Sequence, residues 1–285
     1  MRTILLPMTE PKGQEGALDL AFGVARKFNS HLTALFIRPD PRAAIPFMGE
    51  GLTADAIQDL VDASEREGKA RAARTHAVFE AWRQRADVEL GDGLEDRDRV
   101  TASFEETTGF IADRVGRAAR LADLTIVPQP VEPNSADASE LLSEVLFRSG
   151  RPLMMAPPTA SSVIGENIVL AWNGRAECAR TAAAALPFLR LANSVRLLTV
   201  GEEHPERPGL EGLSVYLARH GIEADILRRP DDGATGEIIL DVVENCGADL
   251  LVMGAFSHSR WREMIIGGVT RHAIQHAKIP VFMSH

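Results

Sequence analysis

Ala122-Asp123-Leu124-Thr125-Ile126-Val127 and Ala248-Asp249-Leu250-Leu251-Val252-Met253 read almost as one phrase written twice. Each is a short apolar run of the kind that forms a buried strand. Other pairs recur around them. Arg151-Pro152-Leu153-Met154-Met155 is matched by Ile279-Pro280-Val281-Phe282-Met283, and Ile4-Leu5-Leu6-Pro7-Met8-Thr9 by Ile168-Val169-Leu170-Ala171-Trp172-Asn173. The matches keep the same order in both halves, which is the mark of a duplication. The chain therefore divides into a domain over residues 1–158 and another over 163–285, with Pro157-Pro158-Thr159-Ala160-Ser161-Ser162 as the linker.

Each half alternates apolar runs with helical patterns. Strands are predicted at Ile4–Met8, His31–Arg38, Val100–Phe104, Leu124–Val127 and Leu153–Ala156. In the second half they fall at Ile168–Trp172, Ser194–Val200, Glu223–Leu227, Leu250–Met253 and Val281–Met283. Helical stripes such as Ala17, Ala21, Val24, Ala25 and Phe28 lie between them, and a long polar helix ends near Arg85. The acidic segment Asp87–Asp98 reads as a solvated loop. Strand–helix–strand repetition means right-handed crossovers, a parallel sheet and helices on both faces. Ligands then bind beyond the carboxyl ends of the strands, near the point where strand order reverses.

Composition narrows the function. Of 285 residues, 45% are apolar and 25% charged, as in ordinary globular domains. The formal net charge of −9 disfavours non-specific attraction to nucleic acid or anionic lipid. Cys178 and Cys246 have no CxxC spacing; Cys246 shares a helical stripe with Ile239, Val242 and Val243 and reads as a buried apolar residue. No apolar run is long enough to span a bilayer, and the amino terminus lacks a signal-peptide core, so a cytoplasmic protein is expected. GxxxxGK[ST] and GxGxxG fingerprints are absent. His272 and His276, four apart on one predicted helix, lack the third ligand a metal site needs, so no metal is expected there. Trp172 reads equally as a lid over a bound base or as core filling.

Chemistry concentrates after the Leu250–Met253 strand. Met253-Gly254-Ala255-Phe256-Ser257-His258-Ser259-Arg260-Trp261-Arg262 leaves a strand through a cationic loop, and Gly267-Gly268-Val269-Thr270 opens the last helix. Glycines let backbone approach a ligand, and the first amides of a helix can hold phosphate oxygens. Taken alone, the glycine pair reads better as a flexible start to a helix.

The spacing changes that reading. Gly254-x-x-Ser257, nine residues, then Gly267-Gly268-Val269-Thr270 resembles the nucleotide loop of the universal stress protein family. The resemblance runs over nearly the whole chain as a tandem pair, with the motif in the second half alone. It implies two Rossmann-like α/β domains of the adenine nucleotide alpha-hydrolase-like type, each a five-stranded parallel sheet flanked by helices. It also implies a non-enzymatic stress-response or signalling protein binding one ATP or AMP per chain, with no metal beyond Mg accompanying the nucleotide.

The implied site is Ala171, Asn173, Val200, Met253, Gly254, Ser257, Gly267, Gly268, Val269 and Thr270. Ser257 replaces the family's second glycine, Gly268 its hydroxyl residue and Asn173 its aspartate. In the first half the counterpart Val127-Pro128-Gln129-Pro130-Val131-Glu132-Pro133-Asn134 has no glycine, and prolines lack amide donors; Thr9 and Glu10 stand at the nucleoside end. That half is expected to be a degenerate copy. Family resemblance further implies an intramolecular pseudo-dimer through the last strands of the two halves, and leaves homodimerisation open. The alternatives are a nucleotide-independent scaffold with a decayed site and a weak nucleotide hydrolase.

Overall fold

The computed structural model describes residues 1–9, 13–41, 53–94, 98–130, 136–255 and 268–285. The first half supplies strands β1 (Thr3–Met8), β2 (His31–Arg38), β3 (Glu89–Leu90), β4 (Thr101–Thr108), β5 (Leu124–Pro128) and β6 (Leu153–Ala156). The second supplies β7 (Asn167–Ala171), β8 (Ser194–Val200), β9 (Asp225–Arg229), β10 (Leu250–Gly254) and β11 (Val281–Ser284). All lie in one sheet, ordered β3-β4-β2-β1-β5-β6-β11-β10-β7-β8-β9. Every pairing is parallel except that of β6 with β11. Without β3, each half has the same order, and the strand that begins it (β1 or β7) sits at the reversal point.

Helices α1 (Glu15–Phe28), α2 (Ala54–Arg85), α5 (Ala176–Leu189) and α6 (Leu210–Arg219) pack on one face. Helices α3 (Ile111–Ala119), α4 (Ala136–Arg148), α7 (Thr235–Asn245) and α8 (Gly268–His276) pack on the other. Strands covered on both faces need apolar residues at every position, so runs such as Leu250–Met253 are buried without alternation. The apolar cluster on each face contains residues of both halves. At the join Val281 faces Met155 and Met283 faces Leu153, while Phe188 of α5 meets Phe28 of α1 edge-on at 4.8 Å.

The repeated Ala-Asp-Leu has a structural reason. Asp249 Oδ1 accepts from the backbone N–H groups of Gly165 (3.0 Å), Glu166 (3.1 Å) and Asn167 (3.2 Å), where the chain enters β7. Asp123 Oδ2 accepts from those of Arg2 (2.6 Å) and Thr3 (3.2 Å) at the start of β1. Each carboxylate thus ties the fourth strand of its half to the first through charge-assisted hydrogen bonds.

Three sequence expectations are corrected. The Asp87–Asp98 segment is not wholly loop: β3 pairs with β4, extended by a hydrogen bond from Gly91 N–H to Ala102 O at 3.0 Å. Buried Val88 anchors it, and its carbonyl accepts from Arg83 Nη1 at 2.6 Å. Exposed side chains on Glu89 and Leu90 erased any periodic signal. Val100–Phe104 is likewise too short for β4, which runs to Thr108 because its whole length pairs with β2. Cys246 is partly buried beyond the end of α7, whereas Cys178 is the fully buried cysteine.

The Pro157–Ser162 linker docks on α1. A β-carbon on Gly16 would lie 2.2 Å from Pro157 O, and one on Gly23 would lie 2.2 Å from Ser162 O. Two glycines seven positions apart put both notches on one side of the helix. Among the described residues no helix is long and apolar enough to cross a membrane.

Candidate functional site

The carboxyl ends of β7, β8 and β10 surround a cavity of about 130 Å³ on the α7–α8 side of the reversal point. Its floor comes from Ala171 on β7, Leu198 and Val200 on β8, and Met253 and Gly254 on β10. Val269 and Thr270, in the first turn of α8, form one wall, and Thr235 and Ile239 of α7 the opposite one. Of the ten residues predicted, Ala171, Asn173, Val200, Met253, Gly254, Val269 and Thr270 line this one space. Gly268 begins α8 beside them. Ser257, Gly267, Glu10, Arg260, Arg262 and residues 131–134 lie outside the described residues.

Local chemistry explains how the site is held. Asn173 follows β7, and its Oδ1 accepts from the Arg175 N–H at 3.0 Å, an Asx turn that leads into α5. Its amide N–H groups and the second lone pair of Oδ1 remain for a ligand. Gly174, with φ +72°, continues the turn; a β-carbon there would meet Pro208 O at 2.8 Å. Trp172 is buried in the core on the α5–α6 face, its Nε1 donates to Pro208 O at 2.8 Å, and the residue also borders the cavity. It acts as core filling and as cavity wall together.

Gly254 is required by close approach: its missing β-carbon would lie 2.7 Å from Cys178 N and 2.8 Å from Cys178 Sγ. The first turn of α5 is thus pressed against the end of β10. Burial pushes the Cys178 thiol up, and the amides of Asn173 and Gly254 pull partly the other way. A buried protonated thiol is a poor nucleophile, so Cys178 serves as floor. Among the described residues no group of three or more His, Cys, Asp or Glu side chains is placed to hold a metal.

Sequence reasoning missed Cys178, Leu198, Thr235 and Ile239. Leu198 lies two residues before Val200 and so shares its face of β8, which was available from strand alternation. Thr235 and Ile239 arrive from α7, and nothing in their local sequence says that α7 leans toward α8. It does so because Gly236 allows it: a β-carbon there would be 2.7 Å from His272 Cβ.

Residues 166–285 match the model of the universal stress protein family. That half of the chain is thus similar to the universal stress protein family. A universal stress protein of Synechocystis is 22% identical over 246 residues, which cover 82% of this chain and 80% of the relative. Among solved structures, a universal stress protein from Archaeoglobus fulgidus superposes with a TM-score of 0.69 at 14% identity, covering 98% of this chain and 97% of its own. A functionally unknown protein from Pseudomonas aeruginosa superposes at 0.55 with 17% identity, covering all of this chain (100%) and 92% of its own. These structural likenesses extend the fold over both halves of the chain and leave its ligand to be argued from the site.

Proposed function

We propose that this protein acts as a universal stress protein, binding one adenine nucleotide, ATP or AMP, in its second half and passing that occupancy to a partner without turning the nucleotide over. One observation supports the reading: seven of the ten residues implied by the resemblance line a single cavity at the sheet's reversal point. Gly254 and the amino end of α8 stand on one side, and Leu198, Val200 and Ile239 offer an apolar wall on the other. An anion suits the first and a base the second. Bound nucleotide would bias conformation or partner choice. A cytoplasmic setting goes with a ligand abundant there.

Calorimetric titration of the full chain with ATP and with AMP tests this. One nucleotide per chain is expected, lost in Gly267→Val. No binding heat with either nucleotide, together with partners indifferent to both, sinks the reading in favour of a scaffold. Sustained phosphate release that Gly267→Val abolishes would replace binding with hydrolysis.

A further inference from the structure

We propose that Thr235 selects the base in this cavity, accepting a hydrogen bond from the 6-amino group of adenine and turning away 6-oxo purines. The inference rests on the nucleotide reading above and deepens it. If the anion lies against Gly254 and α8, the base lies against Val200, Leu198 and Ile239. On that apolar side Thr235 is the described lining residue with a side-chain hydroxyl.

That hydroxyl has only one direction left to it. Thr235 Oγ1 lies 3.1 Å from Asp231 Oδ1. A carboxylate accepts and does not donate, so the threonine proton is committed to Asp231. What Thr235 can offer the cavity is lone pairs. Asp231 is itself placed: it packs on the turn that ends β8, where a β-carbon on Gly201 would sit 3.3 Å from Asp231 Cβ. Gly201 takes φ +80°, and its N–H donates to Arg229 O at 2.8 Å, which holds the turn against the end of β9. The acceptor character of Thr235 is therefore set by Asp231, an exposed neighbour in the loop after β9 that rests against the Gly201 turn. An exocyclic amine satisfies it. A 6-carbonyl would set two acceptors against each other, and a polar site left unpaired penalises the wrong ligand strongly.

The test compares ATP with inosine triphosphate and 2′-deoxyATP on the full chain. Wild type is expected to bind ATP about tenfold more tightly than inosine triphosphate. Thr235→Val should bring that ratio close to one by weakening ATP, and Thr235→Ser should keep it. Asp231→Asn should narrow it, because an amide N–H can donate to Thr235 and release its proton toward the cavity. Equal binding of ATP and inosine triphosphate by wild type overturns the inference alone. So does a Thr235→Val protein that keeps the ratio, or that changes the ATP to 2′-deoxyATP ratio instead, which would assign Thr235 to the ribose. Failure of wild type to bind any of the three removes the nucleotide reading and this inference with it.

Discussion

The two halves share strand order and the aspartate clamp, and they part at the end of one strand. β10 ends in Gly254, whose absent side chain admits the first turn of α5 and leaves Cys178 as a cavity floor. β5 ends in Pro128, which carries a side chain and no N–H. Helices α1 and α5, both 14 residues long, show the complementary change. Gly16 and Gly23 of α1 stand where α5 has Glu177 and Ala184, and they receive the linker instead of a ligand. Gln129, just past β5, reaches across the join, its Nε2 donating to Ile274 O of α8 at 2.8 Å. One copy thus keeps a cavity beside the end of its fourth strand, while the other presents α1 to the linker and sends Gln129 to its neighbour. A small-residue notch is a reusable part whose occupant the surrounding chain decides.

The strongest way to break this comparison is at the notches. Gly23→Ala forces a β-carbon onto backbone and should cost about 3 kcal/mol, read as a lower urea midpoint. The same change at Gly212 of α6, which would meet nothing within 4 Å, should stabilise by up to about 1 kcal/mol. A neutral Gly23→Ala would mean that the linker does not dock there in solution.

The aspartate clamps come next. Asp249→Ala removes an acceptor shared by three backbone amides and should cost about 2 kcal/mol; Asp123→Ala, with two, should cost about 1 kcal/mol. Equal losses, measured by chemical denaturation, would show that bond number does not distinguish the clamps.

Cys178 offers a rate test of the floor. Iodoacetamide at neutral pH should modify Cys246 well before Cys178, followed by mass spectrometry, because burial both hides Cys178 and raises its pKa. Prompt labelling of Cys178 would contradict a close-packed α5–β10 contact.

The smallest effect belongs to the first half. His31 bridges Thr101 Oγ1 (2.9 Å) and Ser103 Oγ (3.1 Å), and burial lowers its pKa against the opposing pull of Glu105 and Asp92. An unfolded imidazole, titrating near about 6.5, then binds a proton more readily than the folded one. Its contribution is full above that pH and is lost as pH falls through it toward the folded value. His31→Gln should flatten stability between about pH 7 and pH 5; an unchanged slope would assign it to other groups.

Much of this was legible because duplication repeats its own evidence. Ala-Asp-Leu in two places marked the same strand twice, and unbroken apolar runs marked strands buried on both faces. Gly254 and the Gly268-Val269-Thr270 helix start could be read from spacing, since loop and helix are adjacent in the chain. β3 was not legible, because two exposed residues paired by backbone alone leave no pattern in side-chain type. Neither was Thr235, whose identity is ordinary for the first turn of any helix.

The sequence by itself determined the doubled α/β alternation, the order of its parts and the strand ends where a ligand would be met, because these depend on local burial and backbone freedom. Tertiary structure alone decided that α7 leans on α8 through Gly236, that Cys178 underlies Gly254, and that the linker lies in the notches of α1. Such contacts join residues far apart in the chain, and they depend on shapes that meet only after both faces of the sheet have been covered.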